Sequence, residues 1–200
     1  TLTLVERNPV LAALLRDAGL AIELLERGSV GAPERDDPFE QRVSALTRAS
    51  ENLIRHVGAW DAIAALRACA YTRMEVWDGN GTGRIEFSAR ELGESHLGVM
   101  VENRLLQWSL TEVARAAPGV TLRIPAELQA MEKLPDGWLL TLDSGEQLKT
   151  RLVVGADGAR SAVRRLAAID VREHDYGQRA IVTTIYTEQP HGDVARQRFA

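Results

Sequence analysis

The residues most able to do chemistry lie in one stretch, LVVGADGARSAVRR, at 152–165. An apolar run there leads into Gly155-Ala156-Asp157-Gly158 and then into a helix headed by Arg160 and Ser161. Two glycines let the backbone approach a ligand closely, and unpaired N–H groups at a helix start favour an anion. Asp157 suits a different task, orienting the loop or accepting hydrogen bonds from a ribose or a backbone amide. Arg160 and Arg164, one helical turn apart, could offset pyrophosphate charge. An ordinary strand–turn–helix carries the same glycines, so GADG alone leaves both readings open.

A second candidate is Glu6, which ends the first apolar run, TLTLVE. In a dinucleotide-binding βαβ unit an acid at the tip of the second strand accepts hydrogen bonds from the adenosine ribose, about 20 residues beyond the glycine turn of the first. On that reading the first strand and its glycine turn lie upstream of Thr1; a solvated strand-end glutamate is the plainer alternative. His56, His96, His174 and His191 lack metal-ligand spacing, so no metal site is inferred. His96 reads as structural or solvated, and Cys69 in RACAY as a small buried hydrophobe. The four tryptophans read as core and rim.

The elements that must position these groups alternate in type. Residues 1–6 read as a strand and 10–18 as a short helix. Residues 27–38 form an exposed loop, and QRVSAL a strand-like entry to a helix that Gly58 ends. Residues 71–77 and 84–87 flank DGNGTG, a hairpin signal. Residues 101–116 make the longest amphipathic helix, three strands fall between 120 and 143, and the β-rich stretch 178–187 opens another sheet. This predicts an α/β fold: a Rossmann-like domain over 1–171, incomplete at its N-terminus, with a β-ribbon inserted near 71–88. From 172 to 200 the start of an α+β domain follows.

Composition narrows the classes. The 200 residues are 45% hydrophobic and 26% charged, as in an ordinary globular protein. A net charge of −4 gives no electrostatic footprint for nucleic acid. One cysteine rules out a disulfide framework and points to a reducing compartment. The abrupt start in a strand, without Met, and the abrupt end read as an excerpt of a longer protein.

GADGARSAVR resembles the second signature of the flavoprotein aromatic hydroxylases, close to GADGxxSxVR. The segments RVSALTRASENLIRHVGAWDAI, MEVWD, SHLGVMVENRLLQWSL, PAELQ and EQPHGDVARQRF resemble the ubiquinone-biosynthesis hydroxylases of the UbiH/UbiF/VisC type, nearest the branch that hydroxylates an octaprenylphenol. The resemblance implies a cofactor, FAD, a reductant, NAD(P)H, and ring hydroxylation by O₂ through a flavin C4a-hydroperoxide. The implied substrate is a lipophilic prenylated phenol or quinone precursor. The implied setting is the cytoplasm, with peripheral attachment to the inner face of the membrane, self-association and contact with other quinone-synthesis enzymes left open. Carried over by position, Glu6 matches the ribose-binding acid and Arg42 the arginine reaching the FAD pyrophosphate region. Asn103 stands where relatives place an Arg or Gln beside the flavin. Asp157 and Gly158 match the loop serving FAD and the nicotinamide cofactor. The family's N-terminal GxGxxG and C-terminal GD motif are not found, and no side-chain nucleophile or base is identified. Two alternatives stay open: an FAD monooxygenase or halogenase acting on another aromatic compound, and a non-catalytic scaffold member of a quinone-synthesis assembly.

Overall fold

The computed structural model describes residues 1–5, 9–28 and 31–199. In chain order the elements are β1 (Leu2–Val5), α1 (Pro9–Leu14), β2 (Ile22–Leu25), β3 (Val43–Thr47), α2 (Arg48–Val57), α3 (Trp60–Leu66), β4 (Ala68–Tyr71), β5 (Arg73–Asp78) and β6 (Arg84–Ser88). There follow β7 (Gly98–Glu102), α4 (Asn103–Ala116), β8 (Val120–Arg123), β9 (Leu128–Leu134), β10 (Gly137–Leu142), β11 (Gln147–Thr150), β12 (Leu152–Gly155), α5 (Ala162–Leu166) and β13 (Val194–Phe199). The chain divides into two units, one of Thr1–Ala32 with Gln107–Ala180, the other of Pro33–Leu106 with Ile181–Ala200. The first unit thus runs past residue 172, where the sequence suggests a boundary.

The first unit is built on a parallel sheet of order β12-β1-β2-β8. Both faces of β1 are buried, Thr3 on one as fully as Leu2 and Leu4 on the other, as expected of an interior parallel strand. Leu4 pairs with Val154 on one side and Leu24 on the other. Leu2, Leu4, Ile22 and Leu24 close a core with Ala12 of α1 and Ala114 of α4, both fully buried. Alanine at those two points lets each helix backbone come down onto the sheet. A second cluster joins Leu25 to Leu128, Leu140 and Leu142 of the antiparallel sheet β11-β10-β9, and to Val163 of α5.

The second unit holds the antiparallel sheet β3-β7-β4 and a three-stranded sheet, β13-β5-β6. The hairpin β5–β6 turns at the DGNGTG signal: Asp78 donates its amide to the Gly83 carbonyl at 2.9 Å, and its side chain accepts from Asn80 N at 2.8 Å. Strand β13 runs parallel to β5, from Val194 beside Arg73 to Phe199 beside Asp78. The expected strand at 178–187 is not formed. That stretch has β-branched residues but no ladder partner among the described residues, and Ile181 and Tyr186 are 93% and 91% exposed. Strand propensity expresses itself only against a neighbouring strand. Among the described residues no helix is long and apolar enough to cross a membrane.

Helix α2 begins at Thr47, whose hydroxyl accepts from Ser50 N, and ends at Gly58 in the left-handed conformation. Its Glu51 is fully buried. The carboxylate meets Arg48 at 2.5 Å, Arg55 at 2.8 Å and His96 at 2.7 Å. His96 is therefore structural, as its sequence context suggests. Burial pushes the Glu51 carboxyl up, but hydrogen bonds from His96, Arg55 and Arg48 outweigh it and hold the pKa at about 2. A carboxyl depressed in the folded state stabilises fully above its unfolded value, near 4.5, and loses that contribution as pH falls from there toward 2. Melts of the wild-type chain and Glu51→Gln between pH 7 and 2.5 should therefore converge on acidification. A stability gap that stays constant down to pH 2.5 would refute the assignment.

Candidate functional site

Strand β12 delivers the GADG loop, and its two glycines answer different constraints. At Gly155 an added Cβ would stand 2.8 Å from Val163 Cβ, so the close approach of β12 to α5 requires glycine. Gly158 has φ of +81° with open space around it, so conformation rather than crowding selects it. Asp157 lies between them and faces inward to α5: its carboxylate accepts from Val163 N at 3.2 Å, from Ala162 N and from the Ser161 hydroxyl. Ser161 in turn accepts from Arg164 N at 3.0 Å. Burial raises the Asp157 carboxyl, but the Ser161 hydroxyl and the Val163 and Ala162 amides outweigh it and leave the pKa below its ordinary value. The start of α5 is thus capped from within. The free N–H groups expected there are already taken, and Asp157 performs the loop-orienting part of its sequence reading. Arg164 donates to the Ala159 carbonyl at 2.8 Å. Arg160, Arg164 and Arg165 border an open cleft of about 570 Å³.

The order β12-β1-β2-β8 changes the reading of the N-terminal strands. β1, α1 and β2 form a parallel βαβ unit, with β1 interior and flanked by β2 and β12. Counted from β1, the order is 4-1-2-3, the arrangement of a mononucleotide-binding half. β1 therefore takes the place of the first strand rather than the second. The acid that follows the second strand is Glu26, which the sequence reading passed over. Its signal was present: AIELLE has the same apolar-run-then-acid form as TLTLVE. The Glu26 backbone is fixed by Glu26 N to Arg123 O at 3.1 Å and Ala126 N to Glu26 O at 2.9 Å. Glu6 lies outside the described residues.

In the second unit Arg42 and Asn103 come together. Asn103 donates its amide to the Arg42 carbonyl at 3.0 Å, and its side-chain oxygen accepts from Ser44 at 2.6 Å. Residues 33–42, which lead to Arg42, have neither helix nor strand, and charged side chains hold their backbone. Glu102, 6% exposed, accepts from Glu40 N at 3.0 Å and pairs with Arg67 at 3.1 Å. Arg67 donates to the Asp37 carbonyl at 2.7 Å and stacks over Phe39 at 4.8 Å. Arg104 N donates to Glu40 at 2.8 Å, and its guanidinium pairs with Asp37. Beside this network lies a mainly apolar cavity of about 320 Å³, walled by Phe39, Val43, Ala68, Met100 and Val101.

Cys69 corrects its sequence reading: the thiol is exposed on β4, because β4 is an edge strand with one open face. His191 Nε2 lies 3.9 Å from its sulfur, and the ligand atoms of Cys69, His191 and Asp193 fall within 4.8 Å of one another. Local spacing could not reveal this grouping, since 122 residues separate the thiol from the imidazole. His191 Nδ1 already accepts from Asp193 N at 3.1 Å.

A family model described as FAD binding domain matches residues 9–197. The chain is 38% identical over 189 residues to the 3-demethoxyubiquinol 3-hydroxylase of Escherichia coli, covering 94% of this chain and 48% of that protein. It is 34% identical over 191 residues to the mouse mitochondrial ubiquinone biosynthesis monooxygenase COQ6, covering 89% and 39%. The chain thus spans about half the length, or less, of these curated relatives. Among solved structures, Pseudomonas aeruginosa PqsL in complex with 2-aminobenzoylacetate superposes with a TM-score of 0.69 at 20% identity, over 88% of this chain and 47% of that one. The flavin-dependent monooxygenase PieE, in complex with FAD and substrate, gives 0.62 at 20% identity over 84% and 31%. These two likenesses bear on the fold.

The cap on α5 can be tested directly. Asp157→Ala removes the acceptor for two amides and a hydroxyl, and should lower the unfolding free energy by about 1–2 kcal/mol, read as a shift of the urea midpoint. Asp157→Asn, which keeps one acceptor oxygen, should lose less. An Asp157→Ala midpoint equal to that of wild type would show that the cap contributes nothing.

Proposed function

The chain belongs to the FAD-binding-domain family, and we propose that it forms part of an FAD-dependent hydroxylase of a prenylated phenol or quinone precursor, with NAD(P)H as reductant and O₂ as oxygen source. The observation that carries this reading is the likeness to hydroxylases named for ubiquinone synthesis, which extends through both units of the fold.

The chain's own residues support it in separate places. Glu26, following the second strand of the βαβ unit, is the carboxylate for the adenosine ribose hydroxyls. Arg42 supplies positive charge toward the phosphates, and Asn103 an amide beside the flavin ring. The Asp157-Gly158 loop, with its φ fixed and its carboxylate turned to α5, offers bare backbone to the cofactor or to the incoming nicotinamide nucleotide. The donor set fits the adenosine ribose. Redox and oxygen chemistry belong to the bound flavin, and the protein's share is binding, orientation and exclusion of water.

Substrate class follows from the cavity beside β3 and β7. Its apolar wall suits an aromatic ring or prenyl carbons, while Arg67 and Glu102 at its edge are paired with each other. A lipophilic substrate is consistent with peripheral attachment to a membrane surface, which belongs to the same proposal.

Steady-state oxygen consumption by the full-length protein, with product identified by mass spectrometry, tests the reading. Prenylated phenols should be hydroxylated with kcat/KM well above that of simple phenols, and Met100→Glu should raise KM for the prenylated substrate by about tenfold or more by placing a charge in the apolar wall. Equal turnover of simple phenols would favour a different aromatic hydroxylase. A full-length protein that never binds flavin would favour a scaffold role.

A further inference from the structure

Within the second unit, Cys69 meets a turn that lies 122 residues further along the chain. Cys69 stands exposed on the edge strand β4, while His191 and Asp193 lie just ahead of Val194, where β13 begins. One ligand atom from each falls within 4.8 Å of the other two: a thiol sulfur, an imidazole nitrogen and a carboxylate oxygen. The sulfur is 3.9 Å from His191 Nε2, and Asp193 Oδ1 is 3.7 Å from His191 Nδ1. A tetrahedral zinc ion holds sulfur at about 2.3 Å and nitrogen at about 2.0 Å, which sets such ligand atoms about 3.5 Å apart. Both measured contacts are close to that spacing. The frame around the three groups is fixed by backbone bonds. The Asp193 carbonyl accepts from Thr72 N at 2.8 Å and from Arg73 N at 3.3 Å, where β4 passes into β5. The His191 carbonyl accepts from Arg196 at 3.1 Å, and Glu75, 3.6 Å from that guanidinium, offsets its charge. The Asp193 carboxylate adds a negative field at the sulfur, which suits a cation.

We propose that Cys69, His191 and Asp193 form a binding site for a divalent thiophilic cation, Zn²⁺ by preference, with water as the fourth ligand. Thiolate, neutral imidazole and carboxylate are the donors that zinc takes, whereas Mg²⁺ and Ca²⁺ call for sets of oxygens. In the present arrangement His191 Nδ1 accepts from Asp193 N at 3.1 Å. One ring nitrogen must keep its proton, so ligation proceeds with a half-turn of the ring about Cβ–Cγ. That half-turn carries Nε2 to the place of Cε1, between the sulfur and the carboxylate, and leaves Nδ1–H to solvent. The His191 side chain is 60% exposed, which gives it room to turn. The thiol proton leaves to solvent as the sulfur takes the metal. The bound ion then ties the edge strand β4 to the turn that feeds β13, clipping together points far apart in the chain.

Cobalt(II), which enters zinc sites and reports on them by colour, tests the site in the full-length protein after treatment with a chelator and removal of flavin. Wild type should take up Co²⁺ with a sulfur-to-metal charge-transfer band and the intense visible bands of tetrahedral coordination, and added Zn²⁺ should bleach both. Cys69→Ser should remove the charge-transfer band. In competition with a chromophoric chelator, His191→Ala should weaken Zn²⁺ roughly 100-fold and Asp193→Asn roughly tenfold. Asparagine also suits the left-handed backbone at residue 193, so that variant keeps the turn. His56→Ala, at an exposed histidine elsewhere in the unit, should leave both readouts as in wild type. Zn²⁺ should raise the Tm of wild type and leave that of Cys69→Ser where it is, with melts of the metal-free proteins showing that each variant folds. A wild type without the charge-transfer band, or a band that survives Cys69→Ser, overturns the inference. So does a Zn²⁺ affinity that is the same in wild type and His191→Ala.

Discussion

The constraint on which the first unit depends is the position of β1 inside its sheet. An interior parallel strand must satisfy its backbone on both sides, and β1 does so against β2, some 20 residues ahead, and β12, 150 residues ahead. Everything between those partners has to leave the sheet and return. Pairing Leu4 with both Leu24 and Val154 also fixes which side chains enter the core, because a shift of one residue would turn each strand over. The same pairing sets the loop of Gly155 to Gly158 at the end of the sheet where Val5 closes β1, since parallel neighbours end together.

The second unit meets its demands differently. Residues 33–42 lack a ladder, and charged side chains bond their backbone instead, Glu102 at Glu40 N and Arg67 at the Asp37 carbonyl. Arg67 and Glu102 are an ion pair taken largely out of water, a costly arrangement unless further hydrogen bonds complete it. Those bonds come from the loop itself, so charge burial and loop shape are one solution to two problems. Glu51, with its two arginines and His96, repeats the device within the same unit.

Much of this was legible in the sequence where local chemistry decides structure. DGNGTG turns a hairpin because Asp78 can close it, and Gly58 ends a helix because only glycine takes that conformation easily. The role of Asp157 in orienting its loop follows from a carboxylate set ahead of a helix start. Pairing partners were not legible. TLTLVE and AIELLE look alike as strings, and only the sheet order tells which is the first strand and which the second. The exposure of Cys69 likewise depends on β4 being an edge, a fact of topology and not of RACAY. The β-rich 178–187 failed as a strand for the same reason: propensity is local, and a ladder is not.

In the second unit β13 completes a sheet by lying parallel to β5, and residues 181–193, which precede it there, form neither helix nor strand. Closing such a loop costs free energy that grows only with the logarithm of its length, so insertion or deletion in that stretch is tolerated far better than within the six-residue ladder it feeds.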